Sequence, residues 1–288
     1  MGTKSFLLLS LILLASCHRV VVREAEFLEN QSRHIIGGEN ASTKEFPFIV
    51  NIWQNSPKDS FVDHLCGGSL VAKNWVLTAA HCVLEDVTDK TVGPVKIAEL
   101  SLFVGSDLIS GEGGHEYKVK NIIVHPDFSW PKHDIALIEL TEDVTDVTPI
   151  VMNAKKDLGA SDTGLVATVA GWGLTDSQGR IDGKNLQKVS VPLISRAQCD
   201  QDWFPQKRGW NIESDMLCAS STGDTKSACP GDSGGPLVVS ENGVATLIGV
   251  VSWGNACRGA DVLHRSNVEG YADVADALSW IQKTINKR

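Results

Sequence analysis

One serine, one histidine and one aspartate stand in surroundings that hydrolytic chemistry would require. Ser233 lies in the run Cys229-Pro230-Gly231-Asp232-Ser233-Gly234-Gly235-Pro236. Glycines on both sides leave backbone N–H groups free to close in on whatever the hydroxyl attacks. A serine hydroxyl is a weak nucleophile by itself and needs a base, which in turn needs an orienting acid. The segment Leu77-Thr78-Ala79-Ala80-His81-Cys82 offers the base, and His133-Asp134-Ile135-Ala136-Leu137 offers the acid. Each residue also has a plain structural reading: a core histidine, a turn acid, a loop serine. Against that, Asp134 enters an apolar stretch in which an unpaired acid would be costly.

Around these residues, from Ile35 onward, short apolar stretches alternate with turn residues about every ten positions, which predicts an all-β chain. Strands are expected at Phe48–Trp53, Trp75–Thr78, Leu102–Val104, Ile135–Leu140, Leu165–Ala170, Pro236–Val239 and Thr246–Ser252. The one clear helix is terminal: Asp273 to Lys287 places Val274, Ala277, Leu278, Ile281 and Ile285 on one face. The chain has 288 residues, 42% of them hydrophobic and 21% charged, ordinary for a globular protein. Its net charge of −9 argues against nucleic acid and gives no electrostatic reason to bind an anionic membrane.

The beginning of the chain reads as an export signal, with Lys4 before an apolar run from Phe6 to Ala15. Within it, Leu14-Ala15-Ser16-Cys17 resembles the lipobox of bacterial lipoproteins, in which the cysteine carries lipid. The alternative is an ordinary signal cut near Ser16 or Cys17. Seven cysteines are an odd number for an exported chain, so one has a separate fate.

The three segments, in the order His, Asp, Ser, resemble the trypsin/chymotrypsin family of serine endopeptidases, from about Ile35 to the C-terminus. The resemblance implies two six-stranded antiparallel β-barrels with the active site in the cleft between them and a C-terminal α-helix. It divides the chain into a signal (1–17), a propeptide (18–34) and a protease domain (35–288). The first barrel would run to about residue 150, the second over about 151–272 and the helix over about 273–288. By the same resemblance Ser233 is the nucleophile, His81 the base and Asp134 the orienting acid, with the N–H groups of Gly231 and Ser233 forming an oxyanion hole. Six cysteines would pair as Cys66–Cys82, Cys199–Cys218 and Cys229–Cys257, leaving Cys17 for lipid; spacing alone allows 15 connectivities. Disulfides imply an oxidising compartment.

The resemblance also assigns a specificity pocket. Ser227, six residues before the nucleophile, stands where trypsin-like members carry aspartate, and so resembles the chymotrypsin subtype. Ala228 is small, Gly254 leaves the wall open, and Ser252, Trp253 and Gly254 line the substrate strand, Ser252 also supporting Asp134. Glu269, two residues before Tyr271, falls on the far wall; relatives with glutamate there accept both basic and aromatic residues. The alternative turns Glu269 to solvent, since the segment from Arg258 to Asn267 is longer than usual. The expected substrates are proteins or peptides cleaved after Phe, Tyr or Leu, with Lys and Arg also accepted.

Ile35-Ile36-Gly37-Gly38 resembles the start of a mature enzyme, whose new α-amino group would pair with Asp232. His34 stands before the cut where relatives carry Arg or Lys, so the activating protease is left open. In the zymogen, His64, together with Asn51, is expected to hold Asp232. Pro230 is unusual before the first oxyanion glycine. Ser106 replaces the acid of calcium-binding relatives although Glu116 is kept, so neither metal nor other cofactor is expected. Asn30 and Asn40 lie in Asn-x-Ser sequons. The expected protein is an exported bacterial monomer, with no nucleic-acid partner and membrane contact only through lipid on Cys17. The rival readings are a catalytically inactive binding module of the same fold and an enzyme acting mainly on small esters.

Overall fold

Strand formation follows a period of two. In Gln187–Ile194 the side chains of Gln187, Val189, Val191 and Leu193 are buried, whereas Ser190 and Pro192 are exposed. The computed structural model describes residues 37–54, 64–87, 93–161, 164–173, 185–203, 211–222, 226–254 and 266–287. Along the first half run β1 (Glu39–Asn40), β2 (Ile49–Gln54), β3 (His64–Ala72), β4 (Trp75–Thr78), β5 (Leu100–Val104), β6 (His115–Val124) and β7 (Ala136–Leu140). The second half holds β8 (Val151–Met152), β9 (Val166–Gly171), β10 (Gln187–Ile194), α1 (Arg196–Trp203), β11 (Met216–Thr222), β12 (Pro236–Glu241), β13 (Val244–Gly254), β14 (Ser266–Asp273) and α2 (Val274–Ile285).

Strands β2-β3-β4-β7-β6-β5 close one antiparallel barrel, filled by Ile52, Leu70, Leu77, Leu102 and Leu137, none of which reaches solvent. Strands β10-β11-β14-β13-β12-β9 form the second, closed by the pairing of β9 with β10. Its interior holds Val169, Val191, Leu217, Leu237 and Tyr271. Closure leaves neither sheet a long free edge. The short strands β1 and β8 join the second barrel from outside, β8 running parallel to β13. The all-β expectation, two barrels and a terminal helix, agrees with this architecture.

In α2 the Asp273 carboxylate caps the helix by accepting the Ala275 N–H at 2.8 Å. Val274, Ala277 and Ile281 are buried and Leu278 and Ile285 half-buried. Helix α1 was not expected. Its sequence, Arg-Ala-Gln-Cys-Asp-Gln-Asp-Trp, has no apolar stripe, so local periodicity carries no signal. Tertiary ties hold it instead: Ser195 Oγ accepts the Gln198 N–H at 3.2 Å, and Cys199 is bonded to Cys218 on β11. The Cys66–Cys82 disulfide is also formed. Cys229 is disulfide-bonded, and Cys257, its expected partner, lies outside the described residues. So do Cys17, Asn30, Ile35 and the whole 1–34 segment. Asn40 is exposed, and its Oδ1 accepts from Gln187 Nε2 at 2.7 Å.

The loop from Gly105 to Glu116 is closed by its own hydroxyl. Ser106 Oγ lies 2.7 Å from the Glu112 carbonyl and 2.9 Å from that of Leu108, and accepts the Leu108 N–H at 3.0 Å. The Glu116 carboxylate is engaged by Ser101 Oγ at 2.6 Å and by Lys118. Leaving the groups around the buried Ser106 hydroxyl without their partner costs about 1–3 kcal/mol. Ser106→Ala is therefore expected to speed proteolytic nicking of residues 105–116 several-fold, whereas EDTA leaves the wild-type nicking rate unchanged; gel electrophoresis with timed protease sampling checks both.

Candidate active site

His81 and Asp134 meet where the barrels face each other. His81 sits in a one-turn 3₁₀ segment, Ala80–Cys82, directly after β4 and stapled to β3 through Cys82. Asp134 precedes β7, which pairs with β4 and so brings the two residues together. The Asp134 carboxylate is fully buried. Its Oδ1 accepts the His81 backbone N–H at 2.9 Å, and its Oδ2 accepts His81 Nδ1–H at 2.7 Å and Ser252 Oγ–H at 2.5 Å. Ser252 comes from β13, so the second barrel helps hold an acid of the first. Burial by itself would depress the His81 pKa, but the charge and hydrogen bond of Asp134 outweigh it and hold the imidazole above its usual 6.5. The exposed Trp130 ring stands edge-on to His81 with centroids 5.3 Å apart.

The loop around Ser233 is two consecutive turns. Asp232 N–H donates to the Cys229 carbonyl at 2.9 Å across Pro230 and Gly231, and Gly235 N–H donates to the Asp232 carbonyl at 2.9 Å across Ser233 and Gly234. Gly231 has φ of 97°, so Pro at the second position and Gly at the third match a type II turn. This accounts for Pro230: its locked φ suits that position, where its missing N–H leaves no bond unmade. The loop is fastened to both barrels, since Gly67 N–H donates to the Ser233 carbonyl at 2.8 Å and Gly234 N–H to the Val251 carbonyl at 2.8 Å. Ser233 itself is half-buried.

Below the loop, Ser227 and Glu269 are in direct contact. β14 places Glu269 opposite Ala219 of β11, and its side chain turns inward. Glu269 Oε1 accepts from Ser227 Oγ and, at 2.6 Å, from the Ala228 N–H, while Oε2 accepts from the Tyr271 hydroxyl. Burial pushes the Glu269 carboxyl up to about 7, against those three donors. Tyr271 is pushed well above its usual value, first by burial and then by the Glu269 charge. At Gly254 an added Cβ would meet the Val268 carbonyl at 3.3 Å and Glu269 Cγ at 3.6 Å, so the missing side chain leaves the space beside Glu269 open. The Trp253 indole lies against Gly270, where any Cβ would run into the ring.

Asp232 is fully buried, with Oδ1 accepting the Gly173 N–H and Oδ2 the Cys229 N–H, both at 2.8 Å. Burial drives its pKa up to about 6 despite these bonds. His64 does not make the expected contact with this carboxylate. Its Nε2 lies 2.7 Å from the Gly231 carbonyl and its Nδ1 2.7 Å from Asn51 Oδ1. Burial pushes His64 down to about 4, so near neutral pH it has no charge with which to pair Asp232. The sulfurs of Cys66 and Cys82 lie near His81, but their disulfide leaves no thiolate for a metal.

The trypsin family matches residues 35–281. Trypsin-1 of Astacus astacus is 35% identical over 256 residues, covering 86% of this chain and 98% of that protein. The chain belongs to the trypsin family. It is a trypsin-like serine endopeptidase, and proteins are its substrates.

Two residues of this trypsin-like enzyme were not singled out for function from the sequence. Tyr271 served only as a landmark, yet it supplies a donor to Glu269; a tyrosine two residues along the same strand was the available signal. Asp215 carried no signal, because its partner is a main-chain N–H 82 residues away. A histidine held above its usual pKa must lose its proton before it can accept another. Accordingly, kcat/KM is expected to rise with pH through a midpoint above 6.5, measured as the acidic limb of the pH–rate profile.

Proposed function

We propose that Ser233 attacks the peptide carbonyl, that His81 takes the Ser233 proton and returns it to the leaving amine, and that Asp134 holds the imidazole in the tautomer this requires. These roles follow the worked serine-protease scheme of this family. The observation that carries the reading is the buried Asp134 carboxylate bonded to His81 Nδ1 and to Ser252. With Nδ1–H engaged, Nε2 is left as the proton acceptor. Gly231 and Ser233 supply the oxyanion N–H groups, from a loop already fixed by two turns. Fluorophosphonate labelling tests this reading: the activated wild type labels and cleaves casein, and Ser233→Ala does neither. A catalytically inactive binding module would show no label on the wild type, and an esterase would label without cleaving casein.

The pocket reading places Ser227, Ala228, Ser252, Trp253, Gly254 and Glu269 around the side chain on the acyl side of the cut bond. Glu269 has three neutral donors and, among the described residues, no cation beside it. The titratable groups facing it are Tyr271 on its own strand and Asp232 on the nucleophile loop, and neither supplies a positive charge. Protonated, it presents an uncharged floor that accepts Phe, Tyr or Leu. Ionised, it attracts Lys or Arg and resists an apolar ring, which would desolvate the charge and offer nothing in return. Because the carboxyl titrates near pH 7, the ratio of cleavage after Lys or Arg to cleavage after Phe is expected to climb between about pH 6 and 8. Matched peptides differing only at that residue measure the ratio. Glu269→Gln should flatten the climb and lower cleavage after Lys and Arg by roughly 10²-fold.

Activation and location complete the proposal. A cut before Ile35 frees an α-ammonium, the kind of charge a buried Asp232 carboxylate otherwise lacks. Pairing would offset the burial that lifts Asp232 to about 6 and stiffen the oxyanion loop. Residues 1–17 direct export in a bacterial host, and lipid on Cys17 anchors the zymogen. With Cys229 paired to Cys257, as the family pattern implies, Cys17 is left for lipid, and removal of residues 18–34 with the anchor releases a monomeric enzyme. Membrane fractionation before and after the cut tests release; active enzyme still pelleting with membranes after complete cleavage opposes it.

A further inference from the structure

Asp134 is fixed from a side that the triad does not use. The residue before it, His133, has φ of 48°, a left-handed conformation that side chains other than glycine seldom adopt without support. That support comes from across the barrel boundary. His133 N–H donates to Asp215 Oδ2 at 2.6 Å, and Asp215, at the entry to β11, is 5% exposed. Asp215 is tied in turn to α2 and β14, because its carbonyl accepts the Asp273 N–H at 2.8 Å. One residue earlier, Lys132 pairs with Glu213 of the same second-barrel segment. The Ile135 N–H donates to the His133 carbonyl at 2.7 Å, closing the turn around Asp134.

The His133 imidazole contributes less. Its Nδ1 lies 3.8 Å from Asp215 Oδ2 and 3.7 Å from Asp276 Oδ2, beyond a hydrogen bond. Its ring stacks on His125, which packs against Trp280. The short contact is therefore the main-chain one.

We propose that Asp215 is a positioning residue for the acid of the triad, holding the His133–Asp134 turn from the second barrel so that the Asp134 carboxylate meets His81 and Ser252 in one geometry. The proposal rests on the assignment of His81, Asp134 and Ser233 made above. Without the acceptor, a half-buried N–H loses its partner and the left-handed residue is free to relax. Asp134, the next residue, would shift with it. A shift of about 1 Å in catalytic geometry is enough for a loss of about 10²-fold.

The full chain, activated by limited proteolysis and counted by fluorophosphonate titration of its active sites, tests this. For Asp215→Ala, kcat per titrated site is expected to fall by about 10²-fold, with KM for a peptide changed by less than about threefold, the sign of an interaction made in the transition state. The acidic limb of kcat/KM should also move to lower pH, because a displaced Asp134 no longer holds the His81 pKa up. Asp215→Asn keeps an oxygen for the same N–H without the charge and should restore both kcat and the limb. Wild-type turnover per titrated site in Asp215→Ala, even with fewer sites, would show a role in stability alone and overturn the proposal. Asp215→Asn as impaired as Asp215→Ala would overturn the main-chain mechanism. A wild type that takes no label defeats the triad assignment first, and this proposal with it.

Discussion

A carboxylate buried where two barrels meet is the constraint from which the rest of this structure follows. An isolated charge in such a place is prohibitively unfavourable, so it persists only when donors surround it. Asp134 gathers two donors from His81 on its own barrel and one from Ser252 on the other. The donors must come from both sides because the acid lies at the boundary. Burial thereby turns a docking problem into a chemical one: when the barrels are seated, the imidazole is oriented and its pKa is raised.

Two further carboxylates share the burial but not the partners. Glu269 faces Ser227, the Ala228 N–H and Tyr271, and Asp232 faces the Gly173 and Cys229 N–H groups. Neutral donors stabilise a negative charge less than a cation does, so both are lifted, to about 7 and about 6. Each is thus primed to receive a positive charge from outside its own cluster. For Glu269 the proposed source is the substrate side chain, and for Asp232 the new chain terminus. Asp134, Glu269 and Asp232 are all buried, and the donors around them differ, which suits them to the different roles proposed for each.

What could be read in the sequence depended on how far each partner lay along the chain. The strands at Trp75–Thr78 and Pro236–Glu241 have local apolar runs, and the terminal helix has an apolar face. Helix α1 has none and is held by a disulfide and a cap, so no local pattern announces it. Pro230 looked like a departure from the family pattern, and its turn shows that it fits the second position. His64 was read as the holder of Asp232 in the zymogen, whereas in this structure its ring meets the neighbouring Gly231 carbonyl. A one-residue difference in target along a tight turn is below what spacing can resolve.

By itself, the sequence determined the chemical inventory: a serine among glycines, a histidine beside a cysteine, an aspartate entering an apolar strand, and turn residues spaced for an all-β chain. These are local facts, set by side-chain type and by neighbours a few positions away. Only the tertiary structure decided which donors meet which carboxylate. Asp215 with His133, Ser252 with Asp134 and Glu269 with Ser227 are separated by 82, 118 and 42 positions. Burial and hydrogen bonding at those contacts depend on how two closed sheets meet, and no stretch of chain contains that information locally.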